Sequence, residues 1–419
     1  MKNTYNSHPL KRWVMGAAIV SSVFTMYSCT KDITEDLTLQ AGTSSTDATA
    51  LAGNNGDIIP GKYIVVLKEG EARQRINSRA SHGEATRQAR AFGQEILRGN
   101  GMGNAVIEHA YGSSIAGFSA ALTAREAAQL RADSRVAYIE PDRVITLSQK
   151  GKPGGGGGSS PAQNIPWGIT EVGGAVSGAG KVAWVIDSGI DLDHPDLNVD
   201  VARSITVFTS GRDASSADDG NGHGTHVAGT IAALDNTIGV VGVAHGASVV
   251  AVKVLDSRGS GSYSGVITGV NYVAANGEVG QVANMSLGGP ASDALDAAVV
   301  NASAKVKFVL AAGNDGAHAK NSSPARAEGD NIYTISAMDI NGAAPSWSNY
   351  GDPAPVDYCT PGVSISSTWK DGGYNTISGT SMAAPHMAGI LLVTHNIVTN
   401  GTVTNETSTK RYGPRAKHK

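Results

Sequence analysis

Short apolar runs without interruption alternate with helical segments between residues 162 and 400. A strand that is buried on both faces of a sheet needs such a run, because neither face meets water. Strands that alternate with helices predict an α/β domain, in which a parallel sheet is covered by helices on both faces. The predicted strands are 182–186, 249–255, 282–285 and 306–312, and the helices between them are 262–276 and 291–304.

A smaller pattern precedes this domain. Residues 57–147 follow the order strand, helix, strand, strand, helix, strand, which fits a small α+β split βαβ sandwich. Thr123 and Glu126 have the spacing of a capping box, which predicts the start of the second helix. His109 stands alone, and we interpret it as a structural residue. The chain is therefore expected to contain two domains.

The segments around these domains differ from them in composition. Residues 30–56 are rich in small and polar residues and are expected to form a flexible tether. Residues 148–161 contain five consecutive glycines and are expected to form a mobile linker that includes a processing region. Residues 401–419 form a polar tail, which is expected to be solvated, and the alternative is that the chain is a truncated product.

The first 29 residues have the layout of an export signal. Lys2, Lys11 and Arg12 supply positive charge, and the uncharged run that follows is too short for a comfortable membrane span. Cys29 closes the segment behind a small residue, which resembles a bacterial lipoprotein signal and implies a lipid anchor at Cys29. The alternative is an ordinary signal peptide with an incidental Cys. Both predict export from the cytoplasm, either to a membrane or cell surface or into the medium.

Charge and composition exclude several classes of protein. The 33 Lys and Arg nearly balance the 36 Asp and Glu, and the formal net charge is −3. The chain therefore lacks the excess of positive charge that is typical of nucleic-acid-binding proteins. Hydrophobic residues make up 41% of the chain, which is enough for a sizeable core and excludes global disorder. Two Cys cannot form a disulfide framework.

Three segments supply the residue types of nucleophilic catalysis. Asp187 follows a predicted buried strand, at the end of the strand where open α/β sheets place their sites. His223 and Ser381 each stand at the start of a predicted helix. A serine hydroxyl attacks only when a neighbouring base takes its proton, and an imidazole does so near pH 7 when a carboxylate orients it. Backbone N–H groups at the helix start beside Ser381 favour a developing oxyanion.

These segments resemble the active-site blocks of the subtilisin-like serine proteases. The matching motifs are Asp187-Ser-Gly, His223-Gly-Thr-His and Gly379-Thr-Ser381-Met-Ala-Ala-Pro, in the chain order of that family. The resemblance extends over nearly all of residues 162–395 and implies a subtilisin-like parallel sheet. It also implies a serine endopeptidase that hydrolyses peptide bonds through an acyl-enzyme. An α/β-hydrolase esterase is set aside, because Ser381 lacks the Gly-X-Ser-X-Gly elbow.

The first domain resembles the inhibitor-type propeptide of the same family. The resemblance rests on its size, its strand order and the segment Val136-Ala-Tyr-Ile-Glu-Pro. It implies a zymogen whose propeptide is an intramolecular inhibitor until the chain cuts itself within residues 140–161. Proteins or peptides would then be the substrates. The alternative is a catalytically silent surface binding module on a protease scaffold, which the short segment 382–419 after the serine favours.

The resemblance also assigns residues around the nucleophile. In Ala311-Ala-Gly-Asn314-Asp-Gly, it gives Asn314 the role of donating its amide to the oxyanion, and the alternative is a turn residue. Extended substrates are expected to add as a strand between two flanking segments, with Tyr263 bordering a distal apolar pocket. No acidic selector for Lys or Arg is evident, so large apolar side chains before the cut are expected. The expected substrate-binding residues are Gly259, Ser260, Gly261, Tyr263, Ser286, Leu287, Gly288, Ala311 and Gly313.

Calcium is the cofactor that the resemblance implies. Residues 234–240 directly follow the helix of His223 and have the length of a calcium loop in the family. Six oxygen ligands suit Ca²⁺, and the alternative is a polar surface loop. The expected ligands are side-chain oxygens of Gln163, Asp196 and Asn236 and backbone oxygens of Leu234, Ile238 and Val240.

Overall fold

The computed structural model describes residues 53–147, 161–351, 354–394 and 396–419. The expected export signal, Cys29, most of the tether and residues 148–160 of the linker lie outside the described residues. Within the described ranges, no helix is both long enough and apolar enough to cross a membrane.

The first domain is a small α+β unit in the predicted element order. Its core combines one face of an antiparallel sheet with the apolar side of a long helix, where Phe92 and Ile96 pack against Phe118. The capping box is confirmed, because Thr123 and Glu126 exchange the two expected hydrogen bonds. The elements are β1 (Ile58–Leu67), α1 (Glu69–Ala72), α2 (His82–Gly99), β2 (Ile107–Tyr111), β3 (Gly117–Ala121), α3 (Ala124–Leu130) and β4 (Val136–Thr146).

The second domain has the predicted alternation of strands and helices. Its helices are α4 (Trp167–Glu171), α5 (His223–Ala232), α6 (Tyr263–Asn276), α7 (Asp293–Ala302) and α8 (Thr380–Val393), with 3₁₀ turns at Arg212–Ala214 and Ala319–Asn321. Its strands up to the middle of the domain are β5 (Val176–Ser177), β6 (Val182–Asp187), β7 (Asn198–Val199), β8 (Ile205–Thr206), β9 (Ala244–His245), β10 (Ser248–Lys253), β11 (Ser260–Ser262), β12 (Val282–Met285) and β13 (Gly289–Pro290). Its remaining strands are β14 (Lys307–Ala311), β15 (Ser322–Ser323), β16 (Ile332–Met338), β17 (Tyr358–Pro361), β18 (Ile365–Trp369), β19 (Gly373–Ile377), β20 (Val398–Thr399) and β21 (Ala416–Lys417).

A parallel sheet forms the centre of this domain. Its strand order is β17-β16-β14-β12-β6-β10-β7, and β8 also pairs with β10. Successive residues of a strand face opposite sides, so Val185 joins the core with α5 and α8 while Ile186 joins the core with α6 and α7. The expected α/β class, with helices on both faces, is confirmed.

The sheet of the first domain continues into the second domain. Strand β4 pairs antiparallel with β11, with Thr146 opposite Ser260 and Ile145 opposite Gly261. Asp142 of β4 accepts a hydrogen bond from the Ser264 backbone N–H at the start of α6, at 3.0 Å. Helix N-termini favour a carboxylate, because their N–H groups lack partners within the helix. Strand pairing and a helix cap therefore hold the first domain on the second.

The structure corrects the expected solvated tail at residues 401–419. Strand β21 pairs antiparallel with β20, and the Pro414 carbonyl accepts a hydrogen bond from the Cys359 N–H at 2.9 Å. Tyr412 is only 5% exposed and packs in an apolar cluster with Met338. A few buried apolar side chains fix this segment, although its composition is mainly polar.

Candidate active site

Asp187 and His223 form a buried, hydrogen-bonded pair at the carboxyl end of the central sheet. Asp187 is the last residue of β6 and His223 is the first residue of α5. The His223 Nδ1 atom lies 2.8 Å from Asp187 Oδ1, and the two residues are 1% and 0% exposed. A carboxylate on Nδ1 fixes the tautomer, so that Nε2 can accept a proton.

Two further buried charges support this couple, and sequence analysis missed both. The Asp219 carboxylate accepts five hydrogen bonds: two from backbone N–H groups of the loop before His223, two from Thr225 in the first turn of α5, and one from the Ser188 hydroxyl. The Lys253 ammonium donates to the Ser188 carbonyl at 2.7 Å. Burial raises the pKa of Asp219, while these hydrogen bonds oppose the rise. Two sequence features could have indicated these residues: Asp219 is a carboxylate shortly before His223, and Lys253 is a charged residue at the end of an apolar strand.

Ser381 is the second residue of α8 and is partly exposed in the cleft. Its hydroxyl donates to the Ser286 carbonyl at 3.0 Å, and the Ser286 hydroxyl donates to the Ser381 carbonyl at 2.7 Å. The Ser381 hydroxyl thus donates its hydrogen bond to Ser286. Among the described residues, no direct hydrogen bond joins Ser381 and His223. Catalytic hydrogen bonds often form only when a substrate is bound.

Asn314 faces the start of α8 from the loop that follows β14. Its Oδ1 atom accepts hydrogen bonds from the Thr380 backbone N–H at 2.9 Å and from the Thr380 hydroxyl at 3.0 Å. Because a backbone N–H can only donate, the amide atom that faces it must be the oxygen. This contact sets the orientation of the amide and directs its nitrogen away from Thr380.

Of the expected substrate-binding residues, those of the segment Ser286–Gly288 and of the loop after β14 line the cleft, whereas the segment Gly259–Gly261 pairs with the propeptide strand β4. The Leu147 N–H donates to the Gly259 carbonyl at 3.0 Å, so the propeptide strand reaches the cleft along the edge of β11. Tyr263 is fully buried in the apolar cluster that also contains Ile145, and its hydroxyl donates to the Pro290 carbonyl at 2.6 Å. A pocket of about 40 Å³, enough for a few water molecules, remains beside Ser381. The edge of β11 is already paired with β4, so a second strand could not add there. The cleft is lined by Asn55, Thr146, Leu147, Ser286, Leu287, Gly288, Ala311, Gly313, Asn314 and Ser381, among others.

Family models match both domains of this chain. The model of the subtilase family matches residues 178–411, and that of the peptidase inhibitor I9 family matches residues 62–148. The chain belongs to the subtilase family. The resemblance inferred from the three motifs and from the first domain is therefore confirmed, and with it the assignment to a family of serine peptidases.

Several named serine proteases are similar to this subtilase. Alkaline serine exoprotease A of Vibrio alginolyticus is 38% identical over 377 residues, which are 87% of this chain and 66% of that protein. The extracellular serine proteinase of Thermus sp. (strain Rt41A) is 38% identical over 364 residues, which are 83% of each chain. A solved cold-adapted subtilisin-like serine proteinase matches with a TM-score of 0.51 at 38% identity, covering 60% of this chain and 97% of that chain.

The predicted calcium ligands of this subtilase lie together beside the end of α5. Asn236 donates its Nδ2 to Asp196 Oδ1 at 2.7 Å and its backbone N–H to Gln163 Oε1 at 2.6 Å. Asp196 is fully buried, and its other carboxylate oxygen accepts hydrogen bonds from Val240 N and the Tyr374 hydroxyl, both at 3.2 Å. Burial raises the pKa of Asp196. A buried carboxylate whose hydrogen-bond partners are all neutral suits a cation.

Proposed function

We propose that this subtilase is a secreted endopeptidase, made as a zymogen, that cuts peptide bonds through an acyl-enzyme on Ser381. The observation that carries the proposal is the peptide strand β4, which lies on the β11 edge and ends at the cleft of Ser381. An enzyme that binds substrates by strand addition would hold them in the same way. The buried Asp187–His223 couple supports the chemistry.

In the proposed mechanism, His223 takes the proton of the Ser381 hydroxyl as the oxygen attacks the substrate carbonyl carbon. The Ser381 hydroxyl leaves the Ser286 carbonyl for this step. Asp187 stabilises the imidazolium, and the Asn314 amide and the Ser381 backbone N–H stabilise the oxyanion. His223 then protonates the leaving amine, and water hydrolyses the acyl-enzyme by the same steps.

The first domain would be the inhibitor of the second until it is cut and released. Its strand β4 occupies the β11 edge on which a substrate strand would add. Because the described strand reaches the cleft at Leu147, we expect the cut on the C-terminal side of Leu147, within residues 148–161. The apolar contacts of Ile145 support the expected preference for apolar substrate side chains.

Calcium would bind beside Asp196, with oxygens of Gln163, Asn236, Leu234, Ile238 and Val240 as the remaining ligands. The side-chain amides of this set would have to rotate so that their oxygens face the ion. The bound ion would neutralise the buried carboxylate and tie the loop to the body of the domain.

A lipid anchor at Cys29 would hold the exported chain at a membrane or cell surface. The test is radiolabelled palmitate added to growing cells. The chain should take up the label, and Cys29→Ala should abolish uptake while leaving export intact. Labelling of the variant would reject this anchor.

The proposed function is tested by intact mass. Two forms that begin at Thr30, one unaltered and one with Ser381→Ala, are folded and incubated with calcium. Only the unaltered form should be cut within residues 148–161, and only it should react with a serine-directed phosphonate. If both fold and neither is cut nor labelled, the alternative of a silent binding module is favoured.

A further inference from the structure

A four-residue turn, Asn54–Asp57, precedes the first strand of the propeptide. It lies outside residues 62–148, which match the inhibitor family, and its first three residues lie inside the expected tether. The Asp57 N–H donates to the Asn54 carbonyl at 3.1 Å, and the Asn54 N–H donates to Asp57 Oδ2 at 2.7 Å. Gly56 has a φ of +88°, as the third residue of a type II turn requires. The tether is therefore ordered at this end, contrary to the expectation of flexibility there.

The turn is fixed to both domains. The Gly56 N–H donates to the Val144 carbonyl and the Val144 N–H donates to the Asp57 carbonyl, each at 2.8 Å. Arg143 donates through Nη1 to the Gly56 carbonyl at 2.8 Å. A Cβ atom added to Gly56 would lie 2.4 Å from Pro290 Cγ, so glycine alone allows the turn to close on the peptidase domain.

The carboxamide of Asn55 bridges the propeptide strand and the substrate-binding segment. Its Oδ1 accepts a hydrogen bond from the Thr146 N–H at 3.1 Å, and its Nδ2 donates to the Gly288 carbonyl at 3.0 Å. On its other edge, β4 pairs directly with Ser260–Ser262. The propeptide strand thus binds the β11 edge of the cleft through its backbone, and the Asn55 side chain links it to the opposite edge at Gly288.

We propose that Asn55 is an inhibitory residue outside the inhibitor domain. A carboxamide carries the same donor and acceptor as a peptide group, so Asn55 uses the Gly288 carbonyl that a substrate strand would use. The turn stays on the same chain segment as β4 after the expected cut. The contact therefore slows release of the cut propeptide. This inference rests on the proposed function.

The test compares the folded chain from Thr30 in four forms: unaltered, Asn55→Ala, Asn55→Asp and Asn54→Ala. Each is followed by intact mass and by hydrolysis of a chromogenic peptide with an apolar residue before the cut. After processing, activity should appear with a lag while the propeptide leaves. Asn55→Ala should shorten this lag about five- to tenfold, with the same cut and the same final rate.

Two of these forms sharpen the result. Asn55→Asp keeps an acceptor for Thr146 but cannot donate to Gly288, so it should also shorten the lag. Asn54→Ala is the matched control, because that exposed side chain lies in the same turn without touching the cleft. A lag in Asn55→Ala equal to that of Asn54→Ala overturns the inference and leaves the proposed function intact.

A second measurement does not need activity. In the Ser381→Ala background, hydrogen exchange at the Thr146 N–H should become faster when Asn55 is changed to Ala. Exchange at the Val144 N–H, which donates to the Asp57 carbonyl, should stay the same. Unchanged exchange at the Thr146 N–H would show that Asn55 does not protect this group, and it would overturn the inference. By contrast, failure of every form to process or hydrolyse the peptide counts against the proposed function.

Discussion

Two hydrogen bonds from Thr380 share one acceptor atom of Asn314. The Asn314 Oδ1 atom receives both the backbone N–H and the hydroxyl of Thr380, so its amide is held by two hydrogen bonds at the start of α8. This arrangement joins the loop after β14 to the helix that carries Ser381. An amide held in this way needs little reorganisation when charge develops on a substrate oxygen.

Changing Asn314 to Ala should lower kcat by about 10²–10³ with little change in KM, because the lost donor acts mainly on the transition state. Steady-state kinetics, with active sites counted by phosphonate titration, would measure this loss. Thr380→Ser keeps both donors to Oδ1 and is the matched control, for which we expect near-normal turnover. A kcat within threefold of normal for Asn314→Ala would favour the turn-residue interpretation.

Calcium should stabilise the folded chain through Asp196. A ligand at 100 times its Kd adds about 2.7 kcal/mol to the free energy of unfolding. In the Ser381→Ala background, which prevents self-digestion, a chelator should lower Tm, and Asp196→Asn should remove most of this calcium dependence. The exposed Asp330→Asn should retain it. Equal calcium dependence in both variants would place the ion elsewhere.

Acid should destabilise the fold through His386. Burial lowers the pKa of His386 to about 4, against about 6.5 in an unfolded chain. Between these values the unfolded state binds the extra proton, so the free energy of unfolding falls as pH falls, by about 1.4 kcal/mol per pH unit. Above pH 6.5 this contribution is fully present and constant.

Urea unfolding of Ser381→Ala with and without His386→Gln would isolate this proton. Above pH 7, the difference in the free energy of unfolding between the two chains gives the packing cost of the substitution. From pH 6.5 to 4 the difference should shrink, because only the histidine form loses stability by this route. Parallel curves over that range would contradict the assignment.

The C-terminal segment should contribute to stability. Tyr412 is 5% exposed and packs with Met338 and Val403, so Tyr412→Ala should cost about 3 kcal/mol by leaving a cavity. Denaturant unfolding in the Ser381→Ala background would measure it. Ser408→Ala, at an exposed position nearby, should change stability by less than about 0.5 kcal/mol. Similar small effects from both substitutions would restore the solvated-tail interpretation.

Local sequence was sufficient for much of the fold and for the candidate catalytic residues. Continuous apolar runs such as 182–186 predict strands, because neither face of a strand inside a three-layer domain is exposed to solvent. Asp187 could be assigned to the site because the carboxyl end of such a strand lies at the cleft. The capping box of Thr123 and Glu126 also depends only on residues three apart.

Only the tertiary structure could show the contacts that depend on distant parts of the chain. Asn55 meets Gly288 across 233 positions, and nothing in the composition of the tether indicates that contact. Asp219 and Lys253 lie in ordinary local surroundings, and their support of the Asp187 segment arises because a loop and the end of β10 converge on Ser188. Tyr412 is buried because the domain offers it an apolar surface, which a mainly polar segment does not predict. Sequence patterns determine which face of an element avoids water, whereas the three-dimensional packing decides which distant segment covers that face.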